Sequence, residues 1–121
     1  MNEIDFPLTR TELLARGYLV DVTPVAKVVG ITIPIDVSFT LFDHYLANPA
    51  ADVDPFTNVR NTLTALRDRV LHEDPDGDLH FTMIYPMGGK LVTVALVAVL
   101  SQHDDGQIGT VYLAGDLADE D

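Results

Sequence analysis

The chain has 121 residues, 47% of them hydrophobic, enough for one compact domain and too few for a second independent core. Nineteen acids against seven bases give a formal charge of −12, which disfavours direct binding to nucleic acid or to an anionic membrane, because both are polyanions. There is no cysteine, so disulfides, thiolate zinc sites, iron–sulfur clusters and thiol nucleophiles are excluded.

The longest apolar run, Leu91 to Leu100, is half the length of about twenty residues that a spanning helix needs. The opening Met1 to Pro7 carries acids and a proline where a secretory signal has a basic and then an apolar segment. A cytoplasmic protein is the expectation. The charge is uneven: residues 1–50 hold six acids and three bases, and residues 51–121 hold thirteen acids and four bases. Such an excess either keeps the surface soluble or offers an acidic face to a partner.

Thr9-Arg10-Thr11-Glu12 has the capping-box pattern, which predicts a helix over 10–16 with Gly17 at its end. Residues 18–22 then read as a short extended segment. Thr23-Pro24 predicts a second short helix, with threonine as cap and proline at the first position, closed by Gly30. Pro34 keeps residues 31–36 extended or irregular. From Ser38, a candidate cap, Phe39, Phe42, Tyr45 and Leu46 resume helical spacing through Ala47.

Asp54-Pro55 signals the start of the longest helix. Between Phe56 and about Leu71, the residues Phe56, Val59, Leu63, Leu66 and Val70 form the packing stripe, and Asn58, Asn61, Arg67 and Asp68 face water. Asp74-Pro75-Asp76-Gly77-Asp78 breaks the chain before a period-two strand in which Leu79, Phe81, Met83 and Tyr85 share one face. Gly88-Gly89 turns it into Leu91–Leu100, whose continuous apolar character predicts a central strand covered on both sides. Residues 102–106 make the next turn and Ile108–Leu113 the third strand. The reading is a single α+β domain over 1–121: N-terminal helices packed on one face of a C-terminal, three- or four-stranded antiparallel meander, with 115–121 an acidic tail.

No motif names a reaction. Asp74, Asp76 and Asp78 imitate the start of a calcium loop, but Leu79 and Tyr85 stand where an EF-hand needs glycine and glutamate, so an ordinary acidic turn is the better reading. His44, His72, His80 and His103 lack metal-ligand spacing; His80, on the strand face opposite Phe81, is the one whose burial is most informative. Ser38 and Ser101 lie in no nucleophile elbow, and Gly88-Gly89-Lys90 is a hairpin and not a phosphate loop. No metal and no cofactor are expected. Asp21 and Asp36 stand out among the carboxylates because each interrupts an apolar segment, and a side-chain to backbone hydrogen bond is the expected role of both.

The opening Thr9 to Thr23 (TRTELLARGYLVDVT) resembles a family of small uncharacterised proteins of bacteria and mobile elements, a domain of unknown function whose usual opening is TRxxALxDGVLVDVT. The resemblance continues through Ala26 to Ile31, through Pro34 to Ser38, where relatives read ARExGI and PVAVT, and through the long helix and the Phe81 to Pro86 strand. It also covers Gly88 with Leu91-Val92-Thr93, and Asp104 to Ile108, similar to the family's GDDGEPVI. The sequence departs at Tyr18, where a small aliphatic residue is usual, and has no counterpart of the cysteine that relatives often place in the central strand. The resemblance implies no catalytic residues. It implies the company of plasmids, phages and integrated elements, which encode many small acidic inhibitors of host defence systems.

The functional expectation is therefore a non-enzymatic acidic protein-binding module that engages a basic surface, such as one that normally holds nucleic acid, with an anti-defence inhibitor as the form the resemblance implies. Its candidate partner-binding residues are Asp74, Asp76, Asp78, Asp104, Asp105 and Asp116, with the 74–78 loop and the 104–105 turn at one end of the meander and Gly88-Gly89 at the other. The alternative is a homodimeric structural or small-ligand-binding domain whose acidity serves solubility. An enzyme working through buried carboxylates is a third class and requires a pocket with perturbed Asp or His groups.

Overall fold

Thr9 starts the first helix by the reciprocal bonds its sequence predicts. In the computed structural model, which describes residues 9–72, 78–103 and 106–115, the Thr9 hydroxyl accepts from the Glu12 N–H at 3.1 Å, and the Glu12 carboxylate accepts from the Thr9 N–H at 2.9 Å. Helix α1 (Arg10–Ala15) follows. It ends where the Gly17 N–H reaches the Leu14 carbonyl at 3.1 Å and the Tyr18 N–H reaches that of Leu13 at 2.9 Å, the paired bonds of a Schellman close.

Strand β1 (Leu19–Asp21) leads into α2 (Thr23–Val28). The cap expected of Thr23 is not made: Thr23 is the first helical residue, Val22 occupies the cap position, and Pro24 sits in the first turn. Asp21 supplies the missing acceptor from two residues upstream, taking the Thr23 N–H at 2.9 Å.

Strand β2 (Ile35–Ser38) begins inside the stretch expected to be extended or irregular and runs into the expected start of a helix. Ser38 does cap the next element, accepting from the Leu41 N–H at 3.2 Å. That element begins as α3 (Phe39–Leu41) and widens into a π-helical turn (Phe42–Leu46). Leu41 and Leu46 are its fully buried residues, while Phe39, expected on the inner face, is exposed.

Helix α4 (Pro55–His72) starts at the expected Asp54-Pro55. The Asp54 carboxylate accepts from the Thr57 N–H at 2.9 Å and from its hydroxyl at 2.8 Å. These bonds from Thr57 hold the Asp54 pKa below the usual aspartate value. Val59, Leu63 and Leu66 are buried as the spacing predicts, but Phe56 and Val70 are exposed, and Asn58, expected in water, is buried together with Thr62. The packed arc is rotated toward Asn58 because polar groups there are satisfied. The Asn58 side-chain amide donates to the Leu46 carbonyl at 3.2 Å, capping the end of the π-helical turn.

The last three strands are β3 (Leu79–Met87), β4 (Lys90–His103) and β5 (Gly106–Leu113). Between β3 and β4, Gly88 and Gly89 take φ of +59° and +79°, the double left-handed geometry of a two-residue hairpin turn that matches strand twist. The Asp52 carboxylate accepts from the Gly89 N–H at 2.9 Å, and the Asp52 N–H reaches the Pro86 carbonyl at 2.9 Å, so the 48–54 loop covers part of the outer edge of β3. In β4, Leu96, Val97 and Ala98 are buried in succession, as a strand covered on both faces requires, but Leu91, Thr93 and Ala95 are exposed.

The protein is thus a mixed helix-and-sheet fold, but its sheet is no simple meander. Five strands run in the order β1-β2-β5-β4-β3, and β2 pairs with β5 in parallel while every other pairing is antiparallel. One face carries Ile35, Val37, Val111, Leu96, Phe81 and Tyr85 into the main core with α2, α4 and the π-helical turn. The helices do not all lie on that side: α1 sends Arg10 to Asp36, whose side chain points to the opposite face.

Candidate functional site

Strand register decides which turns share an end of the sheet. Leu79, the first residue of β3, pairs with Ala98, and His103 at the end of β4 pairs with Gly106 at the start of β5. Leu79 and the His103–Gly106 pair therefore lie toward the end of the sheet opposite Gly88-Gly89, although β4 runs five residues past the last pair with β3. Asp78 is exposed immediately before β3. Asp74, Asp76, Asp104, Asp105 and Asp116 lie outside the described residues.

The described residues hold all seven bases and eight of the nineteen acids. Eleven acids belong to the sequence of 1–8, 73–77, 104–105 and 116–121. Within the body, the acids are largely engaged by the fold: Glu12 and Asp54 cap helices, Asp21 orders the entry to α2, and Asp52 holds the hairpin.

Among the described residues, Asp36 is the buried carboxylate, with none of its surface exposed. Arg10 grips it with two bonds, Nε to Oδ2 at 2.6 Å and Nη2 to Oδ1 at 2.8 Å, the bidentate geometry that makes guanidinium–carboxylate pairs strong. The same Nη2 lies 3.5 Å from Asp21 Oδ2. Partial burial pushes the Asp21 pKa up, but the bonds from the Thr23 hydroxyl and N–H and the Arg10 charge outweigh it, leaving a net lowering. A small cleft of about 100 Å³ opens beside the pair, bordered by Leu13, Ser101, Thr110 and Tyr112.

Asp36 thus makes a side-chain ion pair and not the backbone bond expected of it, whereas Asp21 does bond the backbone. Arg10 carried no signal beyond its place after a capping threonine. Asp36 did carry one, since it interrupts an apolar segment, and a carboxylate buried there demands a cation.

On the core side a second polar chain is buried. The Tyr85 hydroxyl lies 2.6 Å from Thr62 Oγ1, Thr62 Oγ1 donates to the Asn58 carbonyl at 2.8 Å, and the Tyr85 ring stacks on Tyr45 with centroids 5.9 Å apart. Burial pushes the Tyr85 phenol up to about 12. This chain closes on itself and offers no group to a substrate.

Among the described residues, the other side chains singled out by the sequence stand apart. His80 is exposed, and its carbonyl accepts from Arg69 Nη2 at 3.1 Å. His44 is exposed with its ring edge-on to Tyr45, and Ser38 is a buried cap. Among the described residues, no three His, Asp or Glu side chains gather around a common point, and no helix is long and apolar enough to cross a membrane. Comparison with protein-family profiles, curated sequences and solved structures gives no match.

Proposed function

We propose that the protein is a non-enzymatic binding module whose acidic connections, 73–78 and 104–105, engage a basic surface on a partner protein. The observation that carries this reading is the skew of charge along the sequence, thirteen acids against four bases in residues 51–121. Six acids, Glu73, Asp74, Asp76, Asp78, Asp104 and Asp105, fall in these two short segments with no base among them. Clustered charge of one sign speeds encounter with an oppositely charged face and selects against acidic partners. Surfaces that normally hold nucleic acid are the best match, because they present Lys and Arg in arrays spaced for phosphates. An inhibitor of a nucleic-acid-binding defence protein is the form of this module that the mobile-element resemblance favours.

The test is affinity capture on the intact chain, comparing wild type with the triple change Asp74→Asn, Asp76→Asn, Asp78→Asn. Partners held by wild type should be released by raising salt severalfold and by added duplex DNA, and the triple variant should not retain them. Equal recovery by both chains at every salt concentration would sink the proposal.

A second reading, self-association through the sheet, rests on Ile84 and Leu91, which are 56% and 73% exposed. Both lie on the face away from the core, where Thr82, Thr93 and Ala95 are also exposed and no acid intervenes on β3 or on this part of β4. Light scattering separates the two readings: a dimer made by this face persists at high salt, whereas contacts made by the acidic turns do not.

A further inference from the structure

Among the described residues, half of the outer sheet face has a cover and half has none. Helix α1 lies over β1, β2 and β5: Arg10 reaches Asp36, and Leu13 borders the cleft with Leu19, Thr110 and Tyr112. Over the β3–β4 hairpin, Thr82, Ile84, Leu91, Thr93 and Ala95 are exposed. The continuous apolar run of β4 predicts cover on both sides, and this stretch has it on one.

The uncovered strip is uncharged. Phe81 and Tyr85 of β3 and Val94, Leu96 and Ala98 of β4 belong to the core, so the alternate positions face outward. From His80 to Pro86 and from Leu91 to Ser101 none of these outward residues is Asp, Glu, Lys or Arg, in a chain 21% charged. A basic surface gains nothing from such a strip, which has no carboxylate to meet it. Two copies of a chain of charge −12 repel each other, and across this strip they can meet without opposing acids.

Helix α1 also decides how a second copy sits. A layer packed about 10 Å above β3 and β4 would strike α1 if it extended over β5 and β2. A two-fold axis along the strands avoids this, because it lays β3 over the second copy's β4 and sends the rest of that copy's sheet the other way. Ile84 then meets the second copy's Thr93, and Thr82 its Ala95, so each larger side chain stands on a smaller one. At the hairpin tip, Asp52, which holds Gly89, comes to the second copy's exposed Lys90, giving two contacts of opposite charge. Strand geometry makes the strip about 27 Å by 10 Å. The contact buries roughly 1,000 Å² in all, the lower limit for specific association.

We propose that the protein forms a weak dimer, hairpin on hairpin, about a two-fold axis parallel to β3 and β4. The proposal rests on the self-association reading and adds the face, the axis and the register.

Sedimentation equilibrium of the full chain should give a dimer with a dissociation constant of about 100 µM, little changed by a severalfold rise in salt. Ala95→Glu, at an exposed position, brings two carboxylates together across the axis and should weaken the dimer at least about tenfold, with the Tm of the dilute monomer unchanged. Cysteine pairing reads the axis. A mixture of Ile84→Cys and Thr93→Cys chains, oxidised with glutathione disulfide, should cross-link into the mixed dimer faster than either chain cross-links alone, because those two positions face each other. A monomer at every concentration would overturn the proposal together with the self-association reading and leave the strip to a different protein. A dimer indifferent to Ala95→Glu would overturn the face, and cross-linking no faster in the mixture would overturn the axis, each while self-association itself stands.

Discussion

The hydroxyl of Tyr85 on β3 meets that of Thr62 on α4 at 2.6 Å, and neither residue has appreciable exposed surface. Because Thr62 spends its proton on the Asn58 carbonyl, Tyr85 is the donor of the pair. The direction predicts an asymmetry. Thr62→Val strands a buried phenol without an acceptor and should cost about 2 kcal/mol, whereas Tyr85→Phe leaves Thr62 bonded to Asn58 and should cost about 1 kcal/mol. Urea denaturation of the two variants measures both, and equal costs would mean the bond runs the other way.

The same phenol makes the fold sensitive to alkali. Burial raises the Tyr85 pKa to about 12, against roughly 10 in an unfolded chain. Between these values the unfolded state has released a proton that the folded state still holds, so stability falls as pH rises. The contribution is whole below about pH 10 and is lost by about pH 12, a total of roughly 2–3 kcal/mol. Comparing denaturation of wild type and Tyr85→Phe across this window isolates it, since the phenylalanine variant should show the shallower decline. Tyrosinate absorbance should meanwhile show one tyrosine that ionises only as the chain unfolds.

Arg10 and Asp36 behave as a unit. Arg10→Met leaves a fully buried carboxylate without its cation and should cost about 3–5 kcal/mol, a large share of the stability of a domain this size. Replacing both, as Arg10→Met with Asp36→Leu, should recover most of that loss, because a buried ion pair exchanged for apolar groups of similar volume is often close to neutral. A double variant as unstable as the single one would show that Asp36 is needed for more than its partner.

Gly109 is a packing requirement. A Cβ there would lie 2.9 Å from Ile35 Cδ1, closer than two carbons tolerate, and 3.5 Å from Leu100 Cδ2. Gly109→Ala should therefore cost about 1–2 kcal/mol, as overpacking in a tight core does. Adding Ile35→Val removes the offending methyl and should return part of the loss. Thermal unfolding of the three chains checks the coupling, and strictly additive losses would argue against a steric cause.

Local chemistry was the legible part of this sequence. The capping box at Thr9, the glycine close at Gly17, the Ser38 cap, the Asp54-Pro55 start and the paired-glycine hairpin are each written in a few adjacent residues. Features that depend on distant partners were not. Ile35–Ser38 is four residues long and follows a proline, so period-two alternation was too brief to mark a strand, and nothing near it points to a parallel neighbour in β5. Asn58 reads as a wet-face residue until the Leu46 carbonyl arrives to accept its amide. Arg67 reads the same way until Val29 closes over it. Of the candidate acids, Asp78 is the one the described structure reaches, and its exposure is what an acidic turn before a strand implies.

Ile35 of β2 pairs with Gly109 of β5, a neighbour made some seventy residues later. Contacts of that span are slow to close, because the intervening chain surrenders its freedom before the pairing repays it. As the polypeptide leaves the ribosome, Ile35 and Val37 have an antiparallel companion in β1 but a bare edge on their other side until β5 has been translated. Sheet closure is consequently a late event that joins early and late chain at once, and it sets the interval during which the nascent protein needs shelter from aggregation.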